Sequence, residues 1–221
     1  MTSNAPTRSE DLARAIANWT EQDPDPQTRQ HLNDLLTAAN SGDASAMADL
    51  VDAFSSRLQF GTAGLRGALG PGPNRMNRVV VGQAAAGLAS YLLDHGLAGG
   101  KVIIGFDARR SSDVFARDTA EIMAGAGFQA LISGVPLPTP VAAFGIRHLG
   151  CIAGVVVTAS HNPPEDNGYK VYLGDGSQIV PPADADISSR IDEVAKHSLD
   201  DVPRSQSYAV LGEELEHLFV D

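Results

Sequence analysis

Along most of this chain apolar positions recur every three or four residues, and at intervals that rhythm gives way to short unbroken apolar runs. Leu12, Ile16 and Trp19 mark a first amphipathic helix with Ser9 as its N-cap. Asp23-Pro24-Asp25-Pro26 breaks it. Leu32, Leu35, Leu36 and Ala39 mark a second helix, stopped near Gly42, and Met47, Leu50, Val51 and Phe54 a third. Residues 1–56 are thus expected to form a helical N-terminal arm. Asn77 caps the next helix, with Val80, Val81, Ala84, Leu88 and Leu92 on one face. Lys101 to Phe106 is an apolar strand, and Ser111 or Ser112 caps a helix carrying Phe115, Ile122 and Met123. Phe128 to Ser133 is a strand, Thr139 and Pro140 start a helix, and Ile152 to Thr158 is a strand again. This β-α-β-α-β order predicts an α/β domain over 57–200, a mixed and largely parallel sheet flanked by helices. Tyr169 to Leu173 and Gln178 to Val180 read as a hairpin, and Ala183 to Lys196 as a helix. Residues 198–208 read as a linker. Leu215, Leu218 and Phe219 begin an amphipathic helix, so 201–221 is expected to be a linker and the truncated start of a second domain.

Two stretches depart from this rhythm. In the first, the β-branched run Val155 to Val157 ends in Thr158-Ala159-Ser160-His161-Asn162-Pro163-Pro164. The prolines cannot extend a central strand, so Ser160 is held on a tight loop at a strand's carboxyl end, where α/β proteins place reacting groups. Asn167-Gly168 reads as a turn pair that folds Lys170 back towards Ser160. In the second stretch, residues 58–76, Gly61, Gly64 and Gly67 stand at GxxGxxG spacing around Arg66. Such a loop is either a plain turn or a backbone that approaches an anion closely. It is neither a P-loop nor a dinucleotide fingerprint.

The formal net charge of −11 over 221 residues argues against nucleic acid or an anionic membrane as partner. Residues 181–221 hold ten acids and three bases, so the terminal stretch carries −7 of that charge. A single cysteine, Cys151, excludes an intrachain disulfide and suits a cytoplasmic protein. No apolar run approaches a membrane span. Ser160 beside His161 suggests a hydrolase, but adjacent residues on an extended segment point to opposite sides, and no GxSxG elbow surrounds the serine. A loop serine can instead carry a phosphoryl group, which needs cations around it. Arg66, Arg109, Lys170 and His161 are the candidates. From the residues alone His161 is either catalytic or a structural hydrogen-bonding group, and Lys170 either a site cation or a solvated strand lysine. The six histidines are scattered and form no ligand cluster.

Thr158-Ala159-Ser160-His161-Asn162-Pro163 resembles the phosphoserine loop of the α-D-phosphohexomutases, the phosphoglucomutase/phosphomannomutase superfamily. Three further segments agree in the family's order: Gly61 to Gly67, then Gly105-Phe106-Asp107-Ala108-Arg109 with Ser111 and Ser112, then Asn167-Gly168-Tyr169-Lys170. The wording around Asp166 to Tyr172 is most similar to the bacterial branch related to phosphoglucomutase-2 and phosphopentomutase. The resemblance implies an isomerase that moves phosphate between positions 1 and 6 of a hexose phosphate, through phospho-Ser160 and a hexose 1,6-bisphosphate, with Mg2+ as cofactor. It implies Ser160 as carrier and, through its phosphate, as a metal contact. It implies Lys170 and His161 as proton-transfer groups, and Arg66 and Arg109 as organisers of the phosphate region. The family has four domains, and this chain resembles roughly the first. Its aspartate metal loop, sugar-reading segment and terminal phosphate-binding loop do not occur here. The expectation is therefore an N-terminal portion of a mutase, inactive alone and prone to self-associate. The other reading is a non-catalytic remnant that binds a phosphosugar or a partner.

Overall fold

The computed structural model describes residues 8–212 together with 215 and 219. Three helices come first: α1 (Arg8–Gln22), α2 (Pro26–Asn40) and α3 (Ala44–Ala53). Ser9, expected as the cap of α1, is itself helical and so does not cap that helix. Aspartates set the next two starts. Asp25 accepts from the Gln27 N–H, and Asp43 from those of Ser45 and Ala46, pairing donors that have no partner within the helix. Pro26 opens α2 where its missing N–H costs nothing. Ile16, Trp19, Leu32 and Leu50 are buried in the same apolar cluster as Val79, Leu88 and Val155. The arm therefore shares the core of the α/β unit.

That unit runs β1 (Leu65–Ala68), α4 (Arg78–Asp94), β2 (Lys101–Phe106), α5 (Ser112–Gly125), β3 (Gln129–Ser133), α6 (Thr139–His148), β4 (Ala153–Val157), β5 (Asp166–Leu173), α7 (Ala183–Val194), a 3-10 turn at Leu199–Asp201 and β6 (Ala209–Leu211). The strands form one mixed sheet in the order β1-β5-β4-β2-β3-β6. The pairs β2–β4, β2–β3 and β3–β6 are parallel, while β5 is antiparallel to both β4 and β1. Side chains alternate across the sheet as a period of two requires. Val155 and Val157 join the large cluster under α4, α5 and α7, whereas Val156 and Ile103 join a smaller one beneath Val141, Ala142 and Ile146 of α6. No described helix is long and apolar enough to cross a membrane.

Four local expectations are corrected. Leu65 to Ala68, read as loop, is an edge strand, because its backbone finds the open side of β5. Asn167 and Gly168 are not a turn but lie inside β5, paired with Gly67 and Arg66. The Gln178 to Val180 strand shrinks to one bridge, Gln178 to Tyr172, with the Ile179 N–H donating to the Val171 carbonyl at 3.1 Å. Pro181 and Pro182 follow at once and deny the ladder further donors. Residues 198–208 do not hang free as a linker. Leu199 is buried, Arg204 pairs with the buried carboxylate of Asp118 at 2.7 Å, and the chain then enters β6. Asp118 is held bidentately from the other side by Arg78, both contacts at 2.7 Å. Of the expected terminal helix, Leu215 is buried in the α6 cluster and the Phe219 ring meets Phe144 edge-on at 5.7 Å. Leu218 lies outside the described residues.

Helices α4 and α7 touch at Gly87, where an added Cβ would stand 2.5 Å from Ile191 Cγ1 and 2.8 Å from its backbone nitrogen. Glycine to alanine inside a helix ordinarily stabilises by about 1 kcal/mol. Here overpacking opposes it at roughly 1–3 kcal/mol. Gly87→Ala is therefore expected to lower the urea midpoint; a raised midpoint would show that α7 yields freely.

Candidate active site

The site grows from the carboxyl ends of β2 and β4. After Val157, Thr158 and Ala159 are still buried, and Ser160 then turns into the left-handed region with φ of 55°. That conformation costs a non-glycine residue on the order of 1–2 kcal/mol, so the surroundings must hold it. The Ser160 N–H donates to Thr158 Oγ1 at 3.0 Å. Asn162 N–H to Ala159 O at 3.1 Å and Asp166 N–H to Pro163 O at 3.0 Å close two successive turns.

The loop wraps around one guanidinium. Arg109 Nη1 donates to the carbonyls of Pro163 at 2.7 Å and Asp166 at 3.1 Å, and Nη2 to those of Ser160 at 3.0 Å and Asn162 at 2.7 Å. Asp107, just past β2, sets this cation. Its carboxylate accepts the Arg109 N–H at 3.0 Å and the Ser112 hydroxyl at 2.7 Å, and lies 3.5 Å from Arg109 Nε. Asn167, fully buried, donates to the Arg110 carbonyl at 2.9 Å and to Ser112 Oγ at 3.0 Å. Asp107, Ser112 and Asn167 are thus a frame binding the β2 turn to the serine loop. Gly168 belongs to it by size, since an added Cβ would stand 2.6 Å from Thr158 O and 2.9 Å from Leu65 O.

The Gly61 to Gly67 segment serves the same end. Gly61 and Gly64 bond each other through both amides, at 3.3 and 2.7 Å, so those N–H groups do not face an anion. Gly64 has φ of 75°, and a Cβ there would fall 1.9 Å from the Tyr169 carbonyl oxygen. Glycine is required for contact with β5, not for contact with a ligand. The segment delivers Arg66, exposed on the edge strand, whose Nη1 donates to Asn162 Oδ1 at 3.1 Å. From β5, Lys170 Nζ donates to Ser160 Oγ at 2.6 Å. Partial burial lowers the Lys170 pKa below the ordinary lysine value; the Arg66 charge adds to that, and Asp107 opposes it. His161 is exposed beside Ser160 and makes no hydrogen bond among the described residues.

Ser160, Lys170, Arg66 and Arg109 thus converge, with His161 on the rim. The sequence assigns no separate role to Thr158, Asn162 or Asp166, although all three lie in the segments that carry the resemblance. A cleft of about 640 Å³ opens between α2 and the turn bearing Arg110 and Ser111, but Ser160, Arg66 and Lys170 do not line it. Among the described residues no three His, Cys, Asp or Glu side chains are placed to hold a metal ion. Ser160 Oγ offers a single contact, so these side chains do not by themselves fit the magnesium that the resemblance implies.

Comparison with known proteins agrees with this geometry. Residues 57–198 match the family model described as "Phosphoglucomutase/phosphomannomutase, alpha/beta/alpha domain I". A probable phosphomannomutase of Haemophilus influenzae is 56% identical over 148 residues, which is 66% of this chain and 30% of that protein. Human phosphopentomutase is 37% identical over 190 residues, covering 82% of this chain and 30% of its own length. The crystal structure of a putative phosphomannomutase from Thermus thermophilus superposes with a TM-score of 0.59 at 29% identity, over 72% of this chain and 34% of that one. The chain therefore spans about a third of the length of these relatives. Four segments converging on one serine, on the fold of domain I, leave no ambiguity of kinship: the chain belongs to the phosphoglucomutase/phosphomannomutase family, through its alpha/beta/alpha domain I.

Proposed function

We propose that this chain is the phosphoryl-carrying domain of a phosphosugar mutase, moving phosphate between positions 1 and 6 of a hexose phosphate through Ser160. The observation that carries the reading is the 2.6 Å bond from Lys170 Nζ to Ser160 Oγ, within a loop clamped by Arg109. Phospho-Ser160 donates its phosphoryl group to a sugar hydroxyl. The new P–O bond forms to the sugar oxygen, the bond to Ser160 Oγ breaks, and Lys170 returns a proton to that oxygen. The sugar then carries two phosphates. After it turns over, the other phosphate, the one the sugar brought with it, is transferred to Ser160: its bond to the sugar oxygen breaks, a new one forms to Ser160 Oγ, and Lys170 takes the hydroxyl proton. His161, open at the rim, is the group to exchange the proton of the sugar hydroxyl. Arg66 faces the dianion, and Arg109 acts on it through the loop.

The direct test grafts this chain into the Haemophilus influenzae relative, in place of the segment it matches. With glucose 1-phosphate, magnesium and a catalytic amount of the bisphosphate, the graft should turn over, and phosphate should be found on the Ser160 peptide. Ser160→Ala should lower turnover by about a thousandfold or more, as loss of a covalent nucleophile does. The 221-residue chain alone should give no turnover. Undiminished activity of Ser160→Ala would refute the assignment.

The lowered pKa of Lys170 gives a second prediction. In the chain carrying 13C-methylated lysines, the Lys170 signal should titrate below the ordinary lysine value. Arg66→Gln removes a neighbouring positive charge and should move it upward. A downward shift, or none, would separate Arg66 from the site.

A further inference from the structure

Arg66 projects from an edge strand and is exposed, so nothing in its own strand fixes where its guanidinium points. The amide of Asn162 does. Its Oδ1 accepts from Arg66 Nη1 at 3.1 Å, and its Nδ2 donates to Asp166 Oδ2 at 2.7 Å. These two partners leave one orientation: the oxygen must face the cation and the NH2 the carboxylate, and the flipped amide would oppose both. The backbone of Asn162 is equally committed, through its N–H to Ala159 and its carbonyl to Arg109. An oriented amide thus links the segment that carries Arg66 to the loop that carries Ser160.

We infer that Asn162 is a positioning residue that holds the Arg66 guanidinium over Ser160, with Asp166 fixing the amide from behind. The inference rests on the proposed role of Ser160 as phosphoryl carrier. Without the Asn162 amide, Arg66 keeps its charge but loses its direction, and a guanidinium acts on a phosphate through direction as much as charge. Asn162 itself need not touch the sugar. Its removal should lower kcat and leave the KM for the sugar phosphate nearly unchanged.

The test is a double-mutant cycle in the grafted mutase: Arg66→Ala, Asn162→Leu and the pair. Arg66→Ala is expected to reduce kcat about tenfold to a hundredfold. Asn162→Leu should reduce it by a smaller factor, about fivefold to thirtyfold. The pair should be no worse than Arg66→Ala alone, within about twofold, because a residue that acts only through Arg66 has nothing left to position. Asn162→Ala serves as a second variant should leucine disturb the loop, and thermal melting confirms that each is folded. Multiplicative losses in the pair, or a loss confined to KM, would overturn the inference while leaving the mutase reading intact. A negligible effect of Arg66→Ala would instead count against that reading.

Discussion

One guanidinium holds the site together. Arg109 gives four hydrogen bonds to backbone carbonyls of the serine loop, and those carbonyls belong to residues spread over seven positions, from Ser160 to Asp166. A loop with two consecutive prolines and a serine at positive φ has no ladder to support it. Its carbonyls would otherwise face water in several arrangements. Arg109 gathers them around one planar cation, and the side chain is itself only 18% exposed. Bonds to a charged donor are worth roughly 1.5–3 kcal/mol each, which outweighs the cost of one strained residue.

Everything else near the site either holds Arg109 or uses the loop it shapes. Asp107 and Ser112 fix the turn after β2, and Asn167 reaches across to the same turn. Antiparallel β5 aligns Lys170 beside Val156, so that its side chain meets Ser160. Edge strand β1 then adds Arg66 from the far side, with Gly64 and Gly168 allowing the three backbones to approach. On the opposite half of the sheet, Asp118 does a comparable task between Arg78 and Arg204, fixing the path that leads into β6.

The regular part of this architecture was legible in the sequence, because it rests on local periodicity. The α4, α5 and α7 faces, strands β2 to β4 and the arm all follow from apolar spacing. The pairing of Lys170 with Ser160 was legible too, although Asn167-Gly168 pointed to it for the wrong reason. Those residues bring Lys170 home by lying inside β5, where Asn167 is buried as a hydrogen-bonding tie. What failed was whatever depends on distant partners. Leu65 to Ala68 becomes a strand only because β5 offers an edge. Residues 198–208 look like solvated linker until Asp118 is seen to claim Arg204. By resemblance Arg109 reads as an organiser of the phosphate region, but only the fold shows its guanidinium aimed at backbone carbonyls of the serine loop. Asn162 carried no periodic signal at all.

Arg109, more than the local sequence, fixes the serine loop. Amide hydrogen exchange on the 221-residue chain, comparing it with Arg109→Gln, tests this most directly. The amides of Asn162 and Asp166 close the two loop turns, and both should lose protection by about tenfold or more in the variant. The amide of Val155, central in the sheet, should keep its protection. If Asn162 and Asp166 exchange at the same rate with and without the guanidinium, the loop is held by its own sequence and Arg109 is not its organiser.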